Sequence, residues 1–162
     1  MVRAAYSSGN PALGVGPGNA VAYVDPTAKV DAAARCLVDS KSFDNSVLCT
    51  NESVVVTLDS NRGNMERALR SAGAHVCNEV DTNKLRDYLF GGEGFTLEAI
   101  GKSAQWIAER AGIRVSPSAK ILVPVVATPG QDDLLFREKL CPVLTSTAAV
   151  DFEQAVTFAK HT

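Results

Sequence analysis

Cys49 is the residue of this chain best placed to do covalent chemistry. It lies in the polar segment FDNSVLCTNES, between an alanine-rich stretch and the β-branched run SVVVTL, so we predict it in a connecting loop. Functional side chains concentrate in such loops. A thiol there is partly exposed, and nearby backbone N–H groups favour its thiolate, which is the nucleophilic form. Cys49 is therefore the candidate nucleophile.

The other cysteines are interpreted as packing residues. The chain has four cysteines without a Cys-x-x-Cys pair, and its two histidines are His75 and His161. This spacing is not that of a structural zinc site, so no metal ligand is predicted. A chain of this length without a secretion signal also has little need of a disulfide framework. Cys36 lies among alanines in a predicted helix, where packing explains it.

The segment GVGPGN, residues 14–19, is the next candidate because glycine-rich loops bind phosphates. In a dinucleotide-binding loop the glycines follow a strand and open a helix. Here Pro17 interrupts the glycines and the strand-like run AVAYV follows them. These glycines are not followed by Gly-Lys-Ser/Thr, which excludes a Walker loop in this segment. The segment is interpreted as a tight glycine turn.

Strand and helix periodicities alternate along the chain and predict the elements that position these residues. Asp25 or Thr27 is expected to cap the first long helix, and Asp151 the last. Pro124 indicates a strand that lies near an edge or ends early. The fold class is α/β, a mostly parallel sheet flanked by helices. Strands are predicted over residues 20–24, 53–58, 74–77, 120–126 and 141–147, and helices over 27–41, 64–71, 81–90, 103–111 and 151–159.

Composition limits the classes of function. At 162 residues the chain has the size of one domain, so residues 1–162 are treated as a single unit. A net charge of -2 argues against nucleic-acid binding. No apolar run approaches the ~18–20 residues of a membrane helix, and no signal peptide is recognised, so we expect no membrane partner and a cytoplasmic location.

Three stretches of the chain together resemble the catalytic part of aldehyde dehydrogenases. They are MVRAAYSSGNPALGVGPGN, SKSFDNSVLCTNES and FREKLCPVL, and they occur in the family's order over nearly the whole chain. The resemblance is closest to the CoA-acylating branch, which includes the aldehyde half of bifunctional aldehyde–alcohol dehydrogenases. It implies an aldehyde dehydrogenase catalytic-domain fold, with Cys49 as nucleophile and Glu138 as the contact to the nicotinamide ribose of NAD.

The resemblance also indicates how the acyl group leaves. Hydrolytic members of the family have Glu-Leu-Gly-Gly-Lys where this chain has residues 14–18, and their glutamate activates water. Gly14 stands at or near that position here, and Asp25 is too far along the chain to replace the glutamate. A missing general base removes ~10²–10⁴-fold of water activation. The resemblance therefore implies acyl transfer to coenzyme A, with a small aldehyde as substrate.

The family's remaining parts are not recognised in this chain. Full-length members place an NAD-binding domain before the region matched here and an oligomerisation segment after it, and an asparagine of the absent part completes the oxyanion hole. Only the backbone N–H of Cys49 would remain for that purpose. We expect the chain to belong to a longer, homo-oligomeric enzyme, cytoplasmic or in a bacterial microcompartment, and to have little or no turnover alone.

Two other classes of function stay open. One is a non-catalytic interaction or oligomerisation module with the same fold. The other is a thiol-dependent hydrolase or acyltransferase in which His75 is the base for Cys49, although no feature of the sequence brings these residues together.

Other polar and aromatic residues receive structural interpretations. Asp44 and Asn45 are expected to orient the Cys49 loop through side-chain-to-backbone bonds, with a place in the substrate pocket as the alternative. Trp106 is expected in the core. A helix face that carries Arg62, Arg67 and Arg70 is interpreted as solvated, with contact to the CoA phosphates as the alternative.

Overall fold

The computed structural model describes residues 2–14, 18–92, 94–126 and 133–160. The strands within them are β1 (Val21–Val24), β2 (Val54–Leu58), β3 (Ala74–Val76), β4 (Ile121–Val123) and β5 (Thr145–Ala149). They form two parallel ladders, one in the order β1-β2-β5 and the other of β3 and β4. Parallel bridges from Leu122 to Val143 and from Val125 to Ser146 join the two ladders, so the spatial order is β1-β2-β5-β4-β3.

Helices cover both faces of this sheet. The helices are α1 (Val2–Tyr6), α2 (Val30–Ser42), α3 (Arg62–Ser71), α4 (Glu79–Phe90), α5 (Ala104–Arg110) and α6 (Phe152–Lys160), with short 3-10 turns at Phe43–Ser46, Asp59–Asn61, Leu97–Ala99 and Leu134–Phe136. Val55 of the interior strand β2 packs in one core with α2 and α3, whereas Val54 and Val56 pack in the other with α4, α5 and α6. A strand buried on both faces explains the unbroken run of valines. The predicted α/β fold is confirmed.

The last strand begins later than residue 141, where the sequence pattern predicted it. Residues 141–144 are buried and pair first with β4: the Leu122 N–H donates to Pro142 O at 2.9 Å and the Leu144 N–H to Leu122 O at 2.9 Å. Only from Thr145 does the chain pair with β2. β4 itself ends early, at Val123, because Pro124 has no N–H to continue the ladder.

The helix caps follow the sequence only in part. Helix α2 begins at Val30, because Asp25 is used in a turn, where it accepts bonds from the N–H and hydroxyl of Thr27 at 2.8 and 2.6 Å. Neither residue caps the helix, so that prediction was wrong. The Asp151 cap is confirmed by a 2.8 Å bond from the Gln154 N–H. No helix among the described residues is long and apolar enough to cross a membrane.

Candidate active site

Cys49 lies at the tip of an exposed turn just before β2. The turn is closed by a 3.2 Å bond from the Asn51 N–H to Leu48 O, with Cys49 and Thr50 as its central residues. The thiol is free and exposed. In the described part of the chain, the N–H groups of Cys49 and Thr50 donate to no protein acceptor. The loop prediction is confirmed, and a carbonyl oxygen attacked by this thiol would have two backbone donors beside it.

A strained turn precedes the Cys49 turn. Asp44, Asn45 and Ser46 have φ values of 48°, 48° and 60°, in the left-handed region that side chains other than glycine rarely adopt. Such residues cost of order 1–3 kcal/mol each and persist only where surrounding contacts hold them. One such contact is a 3.0 Å bond from Asn45 Nδ2 to Gly101 O. Asn45 therefore orients the loop by a side-chain-to-backbone bond, as expected, although to a distant part of the chain.

Glu138 lies beside the base of the Cys49 loop. Its side chain is half-buried, and its neighbour Lys139 is fully buried. The Lys139 N–H donates to Ser53 Oγ at 3.4 Å, and Lys139 O accepts from Lys41 Nζ at 3.0 Å. These bonds fasten the segment that carries Glu138 to the residue that precedes β2.

The three stretches that carry the family resemblance meet at one edge of the sheet. Each lies before a strand, β1, β2 or β5, and because these strands are parallel and adjacent, their amino ends share an edge. Asn19 Nδ2 donates to Phe136 O, and the Ser53 N–H donates to Ala20 O at 2.8 Å. The predicted glycine turn lies partly outside the described residues, since residues 15–17 are not among them.

Two buried lysines were missed by the sequence analysis. Lys41 and Lys139 are 0% and 1% exposed. Burial lowers the pKa of Lys41 to about 8 and, with the repulsion of Lys41, that of Lys139 to about 7. For Lys41 a signal existed, because it continues the helical spacing of the buried residues Ala34 and Leu37 in α2. Nothing in the local sequence marks Lys139.

The four cysteines divide into two exposed and two buried. Cys77 and Cys141 are core residues, and burial raises the pKa of their thiols to about 12 and about 11. Cys36 is exposed on α2, so its interpretation as a packing residue was wrong. The alternation of alanines around it does not distinguish the two faces of the helix, and Cys36 falls on the solvent side.

The structure separates His75 from Cys49. His75 is on β3, the edge strand, while Cys49 precedes β2, and two strands, β5 and β4, lie between them. At ~4.8 Å per strand this is roughly 14 Å. His75 instead lies 4.0 Å from Asp81. A Cys49–His75 pair, the basis of the hydrolase alternative, is therefore not formed.

The remaining interpretations concern α3 and α5. Trp106 is half-buried against the core, with the Arg110 guanidinium 4.8 Å from its ring centre, which agrees with a packing role. The arginines of α3 are satisfied locally, as on a solvated face: Arg62 by Asp59 at 2.9 Å, Arg67 by Asn64 at 3.0 Å and Arg70 by Glu66 at 3.5 Å.

Comparison with known proteins shows which enzymes the chain is similar to. No protein-family model matches the chain. An aldehyde-alcohol dehydrogenase of Clostridium acetobutylicum is 35% identical over 156 residues, which are 96% of this chain and 18% of that protein. The crystal structure of an acetylating aldehyde dehydrogenase from Geobacillus thermoglucosidasius has a TM-score of 0.91 and 32% identity, covering 99% of this chain and 35% of that one. Rhodopseudomonas palustris propionaldehyde dehydrogenase, crystallised with bound propionyl-CoA, has a TM-score of 0.86 and 29% identity, covering 98% and 35%.

These relatives define the class of enzyme that the chain is similar to: over nearly its whole length, the chain is homologous to part of the aldehyde dehydrogenases. Within that family its relatives are the acylating enzymes, which include the aldehyde half of aldehyde–alcohol dehydrogenases. The chain spans 18% to 35% of the length of the relatives described above.

Proposed function

We propose that this chain is the cysteine-bearing catalytic part of a CoA-acylating aldehyde dehydrogenase, which oxidises a short-chain aldehyde to an acyl-CoA. The observation that carries the proposal is the position of Cys49, exposed on a tethered turn at the same sheet edge as the Glu138 segment. The activities in the names of its relatives, acetylating aldehyde dehydrogenase and propionaldehyde dehydrogenase, support it.

Cys49 begins the reaction as its thiolate. The sulfur attacks the aldehyde carbon, the carbonyl π electrons move to oxygen, and the N–H groups of Cys49 and Thr50 donate to that oxygen in the resulting thiohemiacetal. NAD, when bound, supplies the acceptor for the hydride that leaves this carbon. The carbonyl re-forms as the hydride leaves, so the acyl group remains on Cys49 as a thioester.

Glu138 fits the role of a contact to the cofactor. Its carboxylate accepts hydrogen bonds, and the hydroxyls of a ribose donate them. Its side chain is half-buried, and the backbone of the next residue, Lys139, is held by buried hydrogen bonds to Lys41 and Ser53. A carboxylate held in this way orients the ribose and thereby the nicotinamide ring. The rest of the cofactor site is assigned to a domain outside this chain, as is the surface that makes the enzyme a homo-oligomer.

Coenzyme A then takes the acyl group. Its thiolate attacks the thioester carbon, a new S–C bond forms, the bond to the Cys49 sulfur breaks, and Cys49 leaves as thiolate. Gly14 offers no base for water, and Glu52, the carboxylate nearest to Cys49 in sequence, accepts a 2.5 Å bond from Ser40. A thiol needs less help, since part of it is thiolate near neutrality. We place the enzyme in the cytoplasm, or in a bacterial microcompartment, where its catalytic thiol stays reduced.

The proposal is tested on the longer enzyme that contains this chain. NADH should form with acetaldehyde or propionaldehyde in a 1:1 ratio to acyl-CoA, and formation should nearly cease without CoA, because water is a poor acyl acceptor here. Cys49→Ser should abolish NADH formation, whereas Cys36→Ser, which alters the other exposed thiol, should leave it unchanged. Sustained release of free carboxylic acid without CoA would contradict acyl transfer to CoA. Absence of any oxidation would favour a non-catalytic module.

A further inference from the structure

Lys41 occupies a position that is costly for a lysine. It lies in the last turn of α2 and is 0% exposed, and no carboxylate of the described residues lies within 4.0 Å of its ammonium. Burying an ammonium costs several kcal/mol unless its donors are satisfied. Its hydrogen bonds go to two neutral acceptors, Ser53 Oγ at 3.3 Å and Lys139 O at 3.0 Å. An aliphatic side chain would fill this position without the cost of desolvating a charge. The presence of a lysine is therefore explained by what its two hydrogen bonds hold together.

The first bond closes the base of the Cys49 loop. Lys41 comes directly before the segment 42–52 and Ser53 directly after it, so their bond joins the two ends of the loop. A second bond runs parallel to it, from Ser40 Oγ to Glu52 Oε2 at 2.5 Å. A loop of this length whose ends are joined is a compact surface loop of the kind that often carries function.

The second bond connects this loop to the segment that precedes β5. Lys139 O belongs to the residue after Glu138, and the Lys139 N–H also donates to Ser53 Oγ at 3.4 Å. Ser53 is in turn fixed at the start of the sheet, since its N–H donates to Ala20 O and its carbonyl accepts from the Thr145 N–H, at 2.8 and 2.9 Å. The ammonium of Lys41 therefore bonds both the loop that carries Cys49 and the segment that carries Glu138.

We propose that Lys41 is a positioning residue. Its bond to Ser53 closes the Cys49 loop and its bond to Lys139 O holds the Glu138 segment, so together they fix the position of the Cys49 thiol relative to Glu138. It touches neither substrate nor cofactor and acts through Ser53 and Lys139. The effect of Lys41 on the reaction rate rests on the proposed function. The closing of the Cys49 loop by Lys41 does not depend on it. Misplacement of reacting groups by about 1 Å can cost ~10²-fold in rate.

Hydrogen exchange on the chain tests the structural part without any turnover. Lys41→Met removes the donors and keeps an unbranched side chain of similar length. Exchange of the hydrogen-bonded loop amides, those of Val47 and Asn51, should rise ten-fold or more, while the amides of β2 and α4 keep their protection. The matched control is Lys139→Met, because the ammonium of Lys139 donates to Leu135 and Arg137 carbonyls instead. This variant should loosen residues 134–139 and leave the Cys49 loop protected.

Ser53→Ala keeps the test decisive if Lys41→Met does not fold. It removes the shared acceptor with a small change of volume and should also raise exchange in the loop, by a smaller factor. Where both variants fold, the increase in exchange of the double variant should be smaller than the product of the two single increases, because both changes break the same Lys41–Ser53 bond. Unchanged exchange in the loop with either variant, or effects that multiply in the double variant, would overturn the proposal.

Kinetics of the longer enzyme test the catalytic part. Lys41→Met should lower kcat ten-fold or more with KM for the aldehyde within two-fold, and the deuterium isotope effect with C1-deuterated aldehyde should increase, since hydride transfer becomes rate-limiting. Loss of folded enzyme alone would lower kcat without changing the isotope effect, and that result would overturn a positioning role. If the parent enzyme shows no aldehyde oxidation, the proposed function fails, and the exchange results still decide whether Lys41 closes the loop.

Discussion

Gly101 and Asn45 are joined by a hydrogen bond that links two otherwise separate parts of the site. Asn45 Nδ2 donates to Gly101 O at 3.0 Å, and the Gly101 N–H donates to Leu140 O at 3.1 Å. Gly101 has φ +68°, and a Cβ there would lie 3.0 Å from Cγ2 of Val47. One glycine therefore holds the strained turn before Cys49 on one side and the segment after Glu138 on the other. Together with the bonds of Lys41 and Ser53, these bonds hold the Cys49 loop against the segment that carries Glu138.

Ser46→Gly should stabilise the chain. Ser46 has φ 60° and is fully buried, and its Oγ has no hydrogen-bond partner among the described residues. Glycine removes the left-handed cost of ~1–2 kcal/mol and the unpaired hydroxyl, against ~0.5–1 kcal/mol of extra chain entropy. The free energy of unfolding in urea should rise by about 1 kcal/mol. Ser46→Ala, which keeps the strain and removes only the hydroxyl, should gain less, and a loss of stability in Ser46→Gly would contradict the account.

Cys49 should be the most reactive thiol of the folded chain. Cys77 and Cys141 are buried with raised pKa, so they should stay unlabelled, and the competition is with Cys36. Substoichiometric iodoacetamide followed by peptide mass spectrometry should place most of the adduct on Cys49, because two N–H groups of its turn have no acceptor among the described residues and can favour the thiolate. Labelling of Cys49→Ser and Cys36→Ser variants provides the reference rates. Equal or faster labelling of Cys36 would mean that Cys49 is only an exposed thiol.

Glu138→Gln should weaken the use of NAD in the longer enzyme. Glutamine keeps the size of the side chain but loses the charge-assisted bond to the ribose, worth ~1.5–3 kcal/mol. Hydride transfer or NAD affinity should fall roughly ten- to a hundred-fold, at ~1.4 kcal/mol per decade. Alkylation of Cys49 should keep its rate, since that turn is not altered. Unchanged NAD kinetics on the same preparation would leave Glu138 as a surface charge.

Stability should rise with pH between about 7 and 9. The pKa of Lys41 is about 8 and that of Lys139 about 7, both below the ordinary 10.5, so above these values the unfolded chain binds more protons than the folded one. Each lysine contributes a slope of up to ~1.4 kcal/mol per pH unit. The titratable groups around Lys41 are Glu52, Glu138 and Cys141, and those around Lys139 are Lys41, Asp133 and Cys141.

The thiols limit this rise at higher pH. Cys77 and Cys141 have a pKa above the ordinary 9, so their contribution to stability is lost as the pH increases beyond that value. Urea unfolding at pH 7, 8 and 9 measures the slope, and Lys41→Met and Lys139→Met should each reduce it. A slope that is flat in the parent chain, or the same in all three proteins, would show that these lysines are not buried in solution.

Local patterns in the sequence determined the elements and the class of site. The continuous valines of β2, the helical spacing in α2 and the polar segment around Cys49 each carry their signal within about a dozen residues, because burial of one face or of a whole strand repeats with the period of the backbone. The order of the three family-like stretches is likewise a property of the linear chain. These signals sufficed for the α/β fold and for Cys49 in a loop.

The tertiary structure alone decided which residues meet. The pairing of β2 with β5, whose partners lie far apart in sequence, brings Glu138 to the loop of Cys49, and no period in the chain encodes it. The same pairing buries Lys41 and Lys139 around Ser53. Pairing of residues 141–144 with β4 delays β5 until Thr145, and pairing of β3 with β4 keeps His75 on the far edge. The exposure of Cys36 depends on which side of α2 faces the sheet. The left-handed conformation of residues 44–46 is held by the bond from Asn45 to Gly101. Contacts between distant segments set these features, because their free energy comes from neighbours that the local sequence does not contain.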